Sequence, residues 1–170
     1  MSKAFTRESD DQPDRPEIPL APSPLPPGVK NYITPEGARR LREELERLLE
    51  TSRAAASTHP DTTSGGQTSL PLTTRIARLR HSLASAVVTP APTANETRVK
   101  FGAMVTVRDR HGVASVYRIV GVDEADADRG WVSWISPLAK ALMNKRAGER
   151  VRLFLPDGPE DLEIVSVAYD

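Results

Sequence analysis

Cysteine is missing from all 170 residues. That excludes disulfides, thiolate metal sites and cysteine nucleophiles, and it fits a reducing compartment. Aromatic residues are scarce at 5%, and hydrophobic residues make up 38%, enough for one modest core plus a smaller appendage. Neither sign of charge is in surplus: 23 basic and 23 acidic residues cancel, so the chain as a whole has no general electrostatic grip on nucleic acid. A protein partner is expected before naked DNA. No stretch approaches the roughly 18 apolar residues of a membrane span, and the start lacks a basic region followed by an apolar core. A soluble, cytoplasmic chain that does not engage a membrane is expected. Phosphate loop, nucleophile elbow and paired-carboxylate motif are all lacking, so an enzyme is not expected.

What the chain does contain falls into four segments. Residues 1–30 carry seven prolines between Pro13 and Pro27, with Glu8, Asp10, Asp11, Asp14 and Glu17. Such a segment buries little and reads as a disordered, Pro-rich tail. Residues 31–90 read as an antiparallel helical hairpin, a short coiled coil. Thr34-Pro35 is a cap-then-proline start, and Leu41, Leu45, Leu48 and Leu49 form an apolar stripe ending near Thr51. Arg39/Glu43, Arg40/Glu44 and Glu43/Arg47 are opposite charges four apart, a solvated face. Leu72, Ile76, Leu79, Leu83 and Val87 predict a second helix from about Pro71 to Val88. Between the two, residues 51–69 are rich in Ser, Thr and Gly and predict a loop. Residues 91–98 form a linker, and 99–170 a C-terminal domain. There, Met104 to Arg108 and Val113 to Val120 flank an Asp-Arg-His-Gly turn, while Val151 to Leu155 and Leu162 to Tyr169 form another strand pair. The fold class is therefore α+β, with an antiparallel sheet and one short helix, Pro137 to Met143, whose Leu138, Ala141 and Leu142 face the sheet.

The most organised stretch is Arg118 to Leu142. A strand ends at Gly121, an acidic turn follows, a second strand carries Trp131 and Trp134, and Ser136-Pro137 caps the short helix. The run IVGVDEADADRGWVSWISPLAKAL, with FGAMVTV before it and AGERVRLFLPDG after it, resembles the C-terminal domain of the bacterial Gre transcript cleavage factors, GreA and GreB. YITPEGARRLREELERL and RIARLRHSL are similar to parts of the two Gre helices, and KAFTRESD followed by prolines looks like the start of some GreB proteins. The resemblance implies a transcription elongation factor with a C-terminal domain like an FK506-binding protein. It also implies docking on bacterial RNA polymerase at the rim of the secondary channel, with nucleic acid met only inside the transcription complex. On the family pattern, Asp123, Ser136 and Pro137 carry the docking role, and Glu124 joins Asp123 in an acidic turn suited to basic residues of the partner. A monomer is expected.

The likeness breaks at the helical tip. Gre factors carry a pair of carboxylates there, which helps to hold a catalytic magnesium ion in the polymerase. Here Asp61 is the single carboxylate between Glu50 and Glu96, and Ser64 falls where the family has Glu. No cofactor of its own is expected, only an Mg2+ shared with the polymerase active site through Asp61. Helices of about 17 residues would span about 26 Å at 1.5 Å per residue. Short arms and one carboxylate together predict weak or absent stimulation of transcript cleavage. His59, His81 and His111 show no metal-ligand spacing. Arg75, Arg78 and Arg80 make a small basic face on the second helix. The alternative function is a prolyl isomerase or protein-binding module like the FK506-binding proteins, with Trp131 and Trp134 lining the pocket.

Overall fold

A computed structural model describes residues 25–58, 70–93, 95–156 and 158–169. Residues 1–24 of the expected tail, and Asp61 and His59 of the expected loop, lie outside the described residues. The class is α+β, built as a helical unit and a sheet unit.

The helical unit opens with strand β1 (Asn31–Ile33), which runs into helix α1 (Pro35–Thr58). The Thr34 hydroxyl accepts the Gly37 amide at 2.9 Å, so the cap written in Thr34-Pro35 forms. Helix α1 does not stop near Thr51. The loop expected over 51–69 is corrected up to Thr58, because Ala54, Ala55 and Ala56 are the strongest helix formers. The hydroxyls of Thr51 and Ser57 also bond back to the carbonyls of Arg47 and Arg53, both at 2.9 Å, and so do not compete for the helix amides.

Helix α2 (Leu70–Ser85), by contrast, ends earlier than the expected Pro71 to Val88, because Ala86–Val88 leaves the helix as strand β2. Val87 and Val88 are β-branched and find a parallel partner in β1, with Asn31 opposite Ala86 and Ile33 opposite Val88. Helices α1 and α2 run in opposite directions: Asn31, just before α1, meets Ser82 and Ser85 at the end of α2, whereas Glu44 further along α1 meets Arg75. Ile33, Ala38, Leu41 and Leu79 form the small core between them.

The sheet unit has strands β3 (Met104–Arg108), β4 (Ala114–Val120), β5 (Trp131–Ser133), β6 (Arg150–Leu155) and β7 (Gly158–Ala168), in the order β5-β4-β3-β7-β6. The β3–β4 turn closes as its residues dictate: Asp109 Oδ1 accepts the amides of His111 and Val113, and Gly112 takes a φ of 82°. Helix α3 (Pro137–Leu142) covers the inner face, burying Leu138, Ala139 and Leu142 against Val105, Ile119, Val132 and Ile164. One expectation about the sheet fails. It is not wholly antiparallel, because β4 and β5 pair in parallel, Arg118 opposite Trp131 and Val120 opposite Ser133. Residues 121–130 make this possible by leaving the end of β4 in a 3-10 turn (Val122–Glu124) and returning through a tight pairing of Asp126 with Trp131.

Candidate functional site

The parallel pairing of β4 and β5 decides where the expected docking residues go. Both strands leave the sheet at the same end, so the turn after β4, with Asp123 and Glu124, lies beside the segment after β5, with Ser136 and Pro137. The Trp134 amide donates to the Val120 carbonyl at 2.9 Å and ties the two exits together. Ser136 Oγ accepts the Ala139 amide at 3.1 Å as the cap of α3, which leaves Pro137 exposed at the first helical position. Asp123 is half-buried. Its Oδ2 accepts the Ser82 hydroxyl at 2.6 Å and the Asn31 side-chain amide at 3.4 Å.

Glu124 is corrected. A partner-facing carboxylate is expected from its place in an acidic turn, yet it is 6% exposed and fully engaged within the chain. Its Oε2 accepts the amides of Thr34 at 2.8 Å and Gly121 at 2.9 Å, and its Oε1 accepts the Thr34 hydroxyl. Thr34 and Gly121 present donors to an anion, and burying an unpaired carboxylate there would be costly. Two glycines make the room: a Cβ added at Gly37 would fall on the Glu124 carboxylate, and one at Gly121 would meet the Tyr32 carbonyl and Glu124 Oε2.

The tryptophans do not line a common slot. Trp131 is ringed by guanidinium groups, with Arg40 of α1 at 4.3 Å, Arg129 at 5.3 Å and Arg118 at 5.6 Å from its ring centre. Trp134 packs edge-on against Tyr32 at 5.2 Å. Both rings thus tie the sheet unit to the helical unit. Arg40 stacks on Trp131 and reaches Glu36 at 4.0 Å rather than Glu44, which pairs instead with Arg75 of α2 at 2.7 Å. Of the expected basic face, Arg75 is therefore spent between helices, while Arg78 and Arg80 are exposed. An open groove of about 550 Å³ runs between α1 and the acidic turn, lined by Arg40, Glu43, Arg47, Asp123 and Asp126 among others.

His81 is exposed on α2, and His111 Nε2 accepts from its neighbour Arg110. Among the described residues no three His, Asp or Glu side chains gather as a metal site would require, and no helix is long and apolar enough to cross a membrane. Sequence reasoning missed Asn31, Thr34, Gly37, Arg40, Ser82 and Gly121 as parts of this junction. The only local signal was Gly37 inside the first turn of a helix, a position where glycine needs a packing reason.

Comparison with known proteins places these observations. The family model "Transcription elongation factor, GreA/GreB, C-term" matches residues 94–169. Transcription elongation factor GreB of Neisseria meningitidis serogroup A is 37% identical over 155 residues, covering 83% of this chain and 95% of its own. GreB of Xanthomonas axonopodis pv. citri is 38% identical over 161 residues, with 85% and 95% covered. GreA of Magnetococcus marinus is 34% identical over 151 residues, with 81% and 96% covered.

Proposed function

The chain belongs to the GreA/GreB family of transcription elongation factors, and from there we propose that it docks at the rim of the secondary channel of bacterial RNA polymerase and regulates arrested or backtracked complexes. The sheet unit, which we read as similar to the FK506-binding proteins, is the docking part, and the paired helices are the arm that enters the channel. The protein acts as a cytoplasmic monomer and meets nucleic acid only within the transcription complex. The observation that carries the reading is the shared exit of β4 and β5, which gathers Asp123, Ser136 and Pro137 at one end of the sheet. Asp123 and Pro137 keep surface there to offer a basic partner helix. Glu124, held inside, is not part of that contact.

The chemistry of cleavage belongs to the polymerase. At the tip, a carboxylate from this chain would add negative charge beside an Mg2+ ion that prefers hard oxygen ligands, and Asp61 is the residue that would supply it. Helix α1 has 24 residues, which at 1.5 Å each span about 36 Å, more than the 26 Å expected. Weak cleavage therefore rests on the lone carboxylate and no longer on short reach. No observation favours the isomerase alternative, since guanidinium groups cover Trp131 and Tyr32 abuts Trp134.

The test is a transcript cleavage assay on arrested complexes, with wild type, Asp61→Ala and an intact Gre factor side by side, together with competition for polymerase. Competition that is lost in Asp123→Ala, with little cleavage, is expected. Absence of competition by the wild type would sink the docking reading. Strong cleavage abolished by Asp61→Ala would show that one carboxylate suffices.

A further inference from the structure

Glu124 belongs to the sheet unit and Thr34 to the helical unit, and they are 90 residues apart. Their contact is built as a socket. The Thr34 amide and the Gly121 amide converge on one carboxylate oxygen, and the Thr34 hydroxyl donates to the other. That hydroxyl in turn accepts the Gly37 amide, so a free donor of the first turn of α1 is linked through Thr34 to the carboxylate. The carboxylate thus sits at the positive end of a 24-residue helix, where an anion is favoured. Gly37 and Gly121 have no side chains to block it. One residue earlier, Asp123 holds Ser82 near the end of α2. Consecutive carboxylates of one turn therefore grip the outgoing and the returning helix.

We propose that Glu124 is a positioning residue that fixes the direction in which the paired helices leave the sheet unit. Aiming of the arm then rests on Glu124, which offers nothing to a partner, while its neighbour Asp123 both holds Ser82 and keeps surface for docking. Of the other contacts across the junction, Asp123 holds Asn31 and, near the end of α2, Ser82, while Arg40 on Trp131 and Tyr32 on Trp134 are broad ring faces that tolerate sliding. The socket does not, because its two hydrogen bonds from Thr34 hold only at one angle of the helix. Glu124→Ala should leave both units folded and free the angle between them. Glu124→Gln keeps the length of the side chain and an oxygen for the two amides, so it should restore most of the alignment. The structural half of this inference stands without the docking reading; the functional half rests on it.

The absence of cysteine makes the measurement direct. Spin labels on Glu50→Cys in α1 and Val116→Cys on the outer face of the sheet, both exposed, report the distance between the units in the full chain. A narrow distribution is expected in the parent, one at least about twofold broader in Glu124→Ala and in Thr34→Val, and one close to the parent in Glu124→Gln. An unchanged distribution in Thr34→Val and Glu124→Ala overturns the proposal. Should Glu124→Ala fail to fold, Thr34→Val decides alone. In the unlabelled chain, Glu124→Ala should compete for polymerase within about threefold of wild type yet lose about tenfold or more of its effect on arrested complexes. A retained effect overturns the functional half. Should even the wild type fail to bind polymerase, the docking reading falls, while the label distances still decide the socket.

Discussion

The Ser82 hydroxyl donates to Asp123 Oδ2 at 2.6 Å, joining the last turns of α2 to the turn that follows β4. Ser82 is buried, and its acceptor is a carboxylate with only Asn31 as a further side-chain donor among the described residues. A hydrogen bond to a charged group contributes about 1.5–3 kcal/mol, and leaving a half-buried carboxylate short of a donor falls at the low end of that range. Ser82→Ala should therefore lower the stability of the chain by about 1–2 kcal/mol, read from the urea midpoint at unchanged slope. A loss below a few tenths would mean that water replaces Ser82 without penalty.

Arg75 and Glu44 present the opposite case. Their 2.7 Å pair also joins the two helices, but the Arg75 side chain is about half exposed and the contact is open to solvent. Exposed pairs contribute about 0.2–1 kcal/mol, and salt screens them. Arg75→Ala should cost less than about 1 kcal/mol at low ionic strength, and the difference from wild type should shrink in 1 M salt. A loss that persists in high salt would show that packing of the Arg75 stem, not charge, carries the contact.

These two contacts mark where sequence reading works here and where it stops. The starts of α1 and α3 are legible because Thr34-Pro35 and Ser136-Pro137 satisfy the first helix amides within three residues. The stripes through Leu41, Ile76 and Leu79 are legible because burial follows the helix period. The end of α2 is not legible, because Leu83 and Val87 keep helical spacing while a parallel partner 55 residues away, Tyr32, claims Val87 for a strand. Glu124 is misread for the same reason. Nothing local distinguishes an acidic residue in a solvated turn from one whose donors come from Thr34. Asp123 and Ser136 are singled out by likeness to a family, and the parallel β4–β5 pairing that brings their segments together has no local signal.

Tyr169 closes the last strand onto the segment before β3. Its hydroxyl donates to the Arg98 carbonyl and accepts the Lys100 amide at 2.9 Å. Burial pushes its pKa above the ordinary tyrosine value; the Lys100 amide opposes that shift and the Glu96 charge adds to it. A raised folded pKa means that the folded state holds the proton more tightly. The associated stability is complete below the ordinary value of about 10 and is lost as pH climbs through the folded value. Unfolding midpoints should therefore fall as pH rises above about 10, and Tyr169→Phe should flatten part of that fall while lowering stability at neutral pH. An alkaline slope unchanged in Tyr169→Phe would assign the effect to other groups.

Gly37 offers a test whose sign depends on Glu124. In the first turn of an exposed helix, replacing glycine by alanine ordinarily stabilises by about 0.5–1 kcal/mol, because glycine gives up more backbone freedom on folding. Here an added Cβ would land on the Glu124 carboxylate, which has no slack because three donors fix it. Gly37→Ala should therefore destabilise, by about 1–3 kcal/mol as expected for overpacking a filled site. In a Glu124→Ala background the obstruction is gone, the helix propensity is all that remains, and the same substitution should become neutral or stabilising by up to about 1 kcal/mol. The coupling between the two positions, read from a double-mutant cycle in urea, should then reach about 1–4 kcal/mol. Additive effects would mean that the carboxylate can leave its socket at little cost, and the same result would remove the ground for treating Glu124 as the residue that aims the helices.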